Sequence, residues 1–175
     1  MSGCMSAFGG MGIVELCDGL KQLKEEHPPL LAMLDGLLAT VGKIENEENL
    51  NDSFAQLTER TVNFIAELGP HSDREEGVLF EMMGNYIGRA SGPIAVMEYE
   101  HDRAKTLIGT YLARTADKGE VFSNAEMKEL AAMIKEAYYT LTEHFAKEEN
   151  VLFPMAQKML SDEEKTELYK RIQEI

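Results

Sequence analysis

Four histidines and two glutamates stand in a pattern that repeats. The phrase His71-Ser-Asp-Arg-Glu75-Glu76-Gly-Val78-Leu79-Phe80 recurs as His144-Phe-Ala-Lys-Glu148-Glu149-Asn-Val151-Leu152-Phe153, with six of ten positions identical. The other two histidines, His27 and His101, precede these phrases by 44 and 43 residues. Every histidine in the chain therefore belongs to one twofold pattern, a histidine followed by HxxxE. A spacing of four sets imidazole and carboxylate side by side on one helix face. With no cysteine near them, these donors disfavour a closed structural zinc site and suit iron, manganese or catalytic zinc.

A single HxxxE is a weak signal, because such pairs are common on exposed helix faces. The first phrase also has a competing reading: Ser72 and Glu75 are spaced as a capping box, with Gly69-Pro70 ready to break the helix before them. The second phrase lies deep inside a helix and has no such alternative. The repeat argues for ligation at both.

The elements that must position these residues read as helices. Leu16, Leu20 and Leu23, then Leu30, Leu31, Leu34, Leu38 and Val41, form a helical stripe over roughly 13–42. Pro28-Pro29 predicts a kink or restart within it. A second helical pattern runs from Phe54 through Leu68, meets Gly69-Pro70 and resumes over 71–87. The third covers roughly 93–115. Ser123 with Glu126 predicts a capping box opening a fourth helix over about 124–159, and Ser161 with Glu164 another for a short terminal helix. No strand signal interrupts the series. The pattern predicts an all-α fold, an antiparallel up-down-up-down four-helix bundle with a short C-terminal helix over residues 13–175, preceded by a loose tail over 1–12.

Within that bundle, His27 lies 15 residues before the first loop and His71 about 20 beyond its end. At 1.5 Å per residue the two heights differ by roughly 8 Å, which permits one shared layer. Seventeen basic against 31 acidic residues leave a net charge of −14, which argues against nucleic acid or an anionic membrane as partner. The longest apolar stretch, Leu30 to Val41, is too short to span a bilayer, and no signal peptide is legible. Cys4 and Cys17 are too few and too close together to form a disulfide framework. A cytoplasmic protein is expected, with both cysteines as bystanders.

On these residues the chain resembles the hemerythrin family, specifically its HHE domains. His27, His71, Glu75, His101, His144 and Glu148 meet that family's order of His, HxxxE, His, HxxxE across roughly residues 13–159. The stretch His144-Phe-Ala-Lys-Glu148-Glu149-Asn-Val-Leu-Phe-Pro154 is the most specific part. The resemblance implies a four-helix bundle holding two iron ions, oxo- or hydroxo-bridged, with Glu75 and Glu148 bridging; manganese or zinc suits the same donors. It implies a small-molecule ligand, O2, NO, peroxide or an azide-like anion, bound for sensing, scavenging or storage. Turnover of peroxide or nitric oxide and iron-responsive regulation are the alternatives.

Two departures stand out. Oxygen carriers of this family have a second histidine on the third helix where this chain has Lys105, and an aspartate where it has Glu149. Four imidazoles, two bridging carboxylates and a bridging oxygen would leave two octahedral irons with one more open position than a five-histidine centre. Glu98, three residues before His101 on the same helix face, is the expected seventh ligand for it. Glu26, Glu76, Glu100 and Glu149, each next to a candidate ligand, read as solvated helix surface. Tyr99, Tyr138 and Tyr139 read as packing with wet hydroxyls, and Leu79, Phe80, Leu152 and Phe153 as core.

Overall fold

A computed structural model describes residues 14–117 and 119–175; the tail expected over 1–12, with Cys4, lies outside them. The described residues form helices and loops, without a strand. The first long helix is α1 (Asp18–Glu45). The second is built in three parts: α2 (Leu50–Arg74), a π-helical turn π1 (Glu75–Leu79) and α3 (Phe80–Ile87). The third is α4 (Gly92–Arg114). The fourth repeats the construction of the second, as α5 (Asn124–Lys147), π2 (Glu148–Leu152) and α6 (Phe153–Met159). The short α7 (Asp162–Ile172) closes the chain. Helix α1 packs between α2 and α5, and α4 between α5 and α2, so the four long helices close a square.

Both capping boxes form. Ser123 and Ser161 each accept the backbone N–H three residues on, while Glu126 and Glu164 reach back to the cap N–H. The restart expected at Pro28-Pro29 does not occur: α1 is unbroken, with both prolines inside it. Proline's fixed φ is itself helical, and Leu20, Leu23, Leu30 and Leu34 are buried on both sides of the pair. Packing on either flank outweighs the missing donors. Pro70 likewise sits inside α2, so the helix does not begin at Ser72.

The interior is two hydrophobic slabs separated by a polar layer. One slab runs from Leu30 to Ile44 on α1 with Phe54 to Leu68, Ala104 to Tyr111 and Met127 to Phe145. The other gathers Leu20, Leu23, Leu79, Phe80, Met97, Leu152 and Phe153 and is closed from below by Leu168 and Ile172 of α7. Between the slabs lie all four histidines with Glu75 and Glu148, none more than 2 % exposed. Two slabs of hydrocarbon fix the height of that layer and keep water from it. No helix among the described residues is long and apolar enough to cross a membrane.

Candidate metal centre

The six expected residues converge. His27 and His71 face each other with ring centroids 5.0 Å apart, and His101 and His144 at 4.3 Å. The height mismatch shrinks because α1 runs on to Glu45, 18 residues past His27, while α2 begins at Leu50, 21 residues before His71. Donor atoms of His27, His71, Glu75 and Glu148 lie within 4.8 Å of one another, and so do those of Glu75, His101, His144 and Glu148. Both glutamates belong to both groups. That is the arrangement of two cation sites sharing two carboxylates.

The hydrogen-bond inventory tests whether such ions fit. Among the described residues, nine buried side-chain polar atoms make no aligned hydrogen bond: the Nε2 atoms of all four histidines, both carboxylate oxygens of Glu75 and of Glu148, and Ser72 Oγ, although His144 Nε2 lies 2.9 Å from Glu148 Oε1. An unpaired buried polar atom is destabilising, and natural proteins keep few. Eight of the nine point at one place. Neutral imidazole nitrogens and carboxylate oxygens meeting there form a suitable donor set for two divalent or trivalent first-row ions.

Each histidine is fixed from behind. Nδ1–H of His27 donates to Glu149 (2.9 Å), of His71 to Glu26 (2.8 Å), of His101 to Glu76 (2.7 Å) and of His144 to Glu100 (3.1 Å). An ionised carboxylate only accepts, so Nδ1 must carry the proton and Nε2 presents its lone pair inward, the form that ligates metal. A cation backs every one of these carboxylates in turn: Lys24 for Glu149, Arg74 for Glu26, Lys105 for Glu76 and Lys147 for Glu100. The four glutamates read from sequence as solvated surface are therefore part of the site. Their signal was the repeat itself, since Glu26 and Glu100 precede corresponding histidines and Glu76 and Glu149 follow corresponding ligands.

The charges reinforce one another. Burial would push His27 down, yet the Glu148 and Glu75 carboxylates, 3.4 and 4.0 Å from its Nε2, raise it to about 10. Burial likewise works against His144, and Glu148 and Glu100 raise it to about 9. Burial would raise Glu148, but His144 and His27 hold it far below the carboxylate range. The hydrogen bond from His101, with help from Lys105, outweighs burial at Glu76 and holds it at about 2. Burial pushes Glu26 and Glu100 up, and their histidine partners still keep both low. In the metal-free protein, protons occupy the place of cations.

The π turns were not legible in the sequence. Each begins at a shared glutamate, Glu75 or Glu148. A π turn wedges one extra residue into a helix, and such turns recur at functional sites. Here it lets adjacent acids serve different partners: Glu75 and Glu148 face the cluster while Glu76 and Glu149 reach histidines on neighbouring helices. Leu79, Phe80, Leu152 and Phe153 stay buried, as expected. Phe145 stacks on the His27 ring at 4.4 Å, and Phe80 on His101 at 5.8 Å.

Glu98 does not join the six. Its carboxylate, 29 % exposed, is paired with Arg89 outside the cluster. The cation in the turn before α4 draws it to the surface, so spacing to His101 does not decide its direction. Lys105 serves Glu76 and offers no imidazole. Tyr99 and Tyr139 are exposed, and Tyr138 donates to Asp35 at 3.2 Å. Cys17 is a half-buried free thiol whose backbone N–H donates to Gln157.

Comparison with known proteins agrees with this geometry. The hemerythrin HHE cation binding domain matches residues 18–156. Proteins named iron-sulfur cluster repair protein YtfE, from Salmonella schwarzengrund, Salmonella paratyphi B and Salmonella newport, are 37 % identical over 102 residues, covering 57 % of this chain and 46 % of each relative. The match thus spans about half the length of those relatives. With six donors arranged as two cation sites and the domain match running through all of them, the chain belongs to the hemerythrin HHE cation binding family.

Proposed function

We propose that the chain is a non-haem di-iron protein. His27 and His71 would hold one iron, His101 and His144 the other, with Glu75 and Glu148 available to both. It binds O2 or a related small molecule, NO or peroxide, as sensor, scavenger or store. One observation carries the reading: the eight buried donor atoms without hydrogen-bond partners are those that face the shared point. Iron rather than zinc is favoured by the balance of two carboxylates and four imidazoles, without thiolate. When bound, the ions supply open coordination positions and redox change. The chain's own residues orient the imidazoles through Glu26, Glu76, Glu100 and Glu149 and keep the layer dry with Phe80, Phe145 and Phe153.

The test is a visible spectrum of protein loaded anaerobically with iron and then exposed to air, with azide added. Bands of a bridged di-iron centre that shift with azide are expected. Colourless protein that takes up only zinc contradicts the reading. The relatives' printed name favours a second reading, in which the same centre serves iron-sulfur cluster repair. Recovery of a damaged iron-sulfur enzyme on mixing with the iron-loaded chain, lost in His144→Ala, would separate repair from simple ligand binding.

A further inference from the structure

The repeat that builds the centre is broken on one side of it. Two residues beyond His27 stands Pro29, but two beyond His101 stands Arg103; one residue before His71 stands Pro70, but one before His144 stands Glu143. At the level of the centre, prolines therefore occur on both helices of the α1/α2 pair and on neither of the α4/α5 pair. A proline ring removes a backbone donor and crowds the preceding turn of its own helix. Pro29 and Pro70 line a cavity of about 500 Å³ between α1 and α2, together with Glu26, Met33, His71 and Arg74.

That cavity ends on the centre itself, since His71 is one of the six and Glu26 is its hydrogen-bond acceptor. The corresponding groove between α4 and α5, about 390 Å³, is lined by Tyr99, Arg103, Leu107 and Glu136 among others and touches none of the six. The Arg103–Glu136 ion pair bridges it.

We propose that the α1/α2 cavity is the passage through which a divalent cation exchanges with the His27/His71 half, so that the two halves release metal at different rates. The inference rests on the metal-centre reading. All six side chains of the cluster are buried, so an ion must pass some wall to reach them. Glu26 and Glu67 offer carboxylate oxygens on this wall, hard donors suited to a partly hydrated divalent ion. Arg74 is the latch: its Nη1 holds Glu26 at 3.2 Å and its Nε donates to the Ile172 carbonyl at the end of α7. Without Arg74, Glu26 keeps its bonds to His71 and Gln22 but loses its tie to α7.

The experiment mixes the ferrous-loaded full chain, anaerobically, with excess chromogenic ferrous chelator and follows release. Two phases of equal amplitude are expected. Met33→Trp, which fills the cavity from a half-buried position, slows the faster phase by about tenfold, the factor that about 1.4 kcal/mol on a barrier gives, and leaves the slower phase and the bound-iron content unchanged. Leu107→Trp, its twofold counterpart, alters neither phase. Arg74→Gln, which adds no volume, speeds the faster phase and carries the test if Met33→Trp does not fold. A chain that binds two irons but releases them in one phase overturns the passage, as does a faster phase indifferent to both Met33→Trp and Arg74→Gln. A chain that binds no iron overturns the metal centre as well.

Discussion

At the scale of single residues, the centre is a set of imidazoles held from behind. Carboxylates that accept from ligand histidines typically contribute 10–100-fold to metal affinity. Glu149→Ala, which frees His27, and Glu100→Ala, which frees His144, are each expected to weaken one ion by about 10–100-fold, read by chelator competition. Unchanged affinity in both would reduce the carboxylates to surface charge. Proton bookkeeping gives a second prediction. His27 and His144, raised to about 10 and about 9, are protonated in the metal-free protein at neutral pH. Metal uptake must release those protons, so affinity should rise with pH through this range, and calorimetry in buffers of different ionisation enthalpy should count at least two protons released. The sign for metal-free stability is the opposite. Raised histidines contribute fully below about pH 6.5, and that contribution is lost as pH climbs through 9 to 10. Depressed Glu76 and Glu148 contribute above about pH 4.5 and lose it on acidification, Glu76 through about 2. Melting curves with chelator should therefore fall off on both sides, while the metal-loaded protein holds its alkaline limb. The convergence of the six side chains was legible because HxxxE occurs twice, each time with a histidine at a matched distance ahead. Glu98 was misplaced because helical spacing names a face, and Arg89 in the preceding turn decides where that carboxylate goes.

At the scale of elements, the helices followed from apolar periodicity, and the two capping boxes from three-residue spacings that the structure realises. Local rules misled at Pro28-Pro29, where packing by Leu23 and Leu30 keeps α1 continuous. The π turns could not be read at all, since no residue type at 75–79 or 148–152 marks a π turn from an ordinary helical one. They yield a test nonetheless. Deleting exposed Gly77 shortens π1 by one residue and should leave helical content by circular dichroism nearly intact. Metal binding should nevertheless weaken by more than about tenfold, because Glu75 and Glu76 can no longer face both the cluster and His101. Retained affinity would mean the π turn is incidental to the site.

At the scale of the whole molecule, a polar layer is clamped between two hydrocarbon slabs, and α7 seals the one nearer the chain end. Its seat is close: a Cβ at Gly19 would come within 2.9 Å of Leu168, so α1 and α7 meet where only glycine leaves room. Leu168 is fully buried, and Leu168→Ala should destabilise the protein by about 2–5 kcal/mol, measured by urea denaturation. A surplus of 14 negative charges repels itself across such a small body, and cations bound at its middle would offset part of it. The six donors call for two cations. Anomalous differences at the iron edge, from crystals of protein loaded only with iron, test it directly. Two peaks per chain are expected, one beside Nε2 of His27 and His71 and one beside Nε2 of His101 and His144, with Glu75 and Glu148 between them. An iron-loaded chain with no peak in that layer, or with its iron bound elsewhere, contradicts the account.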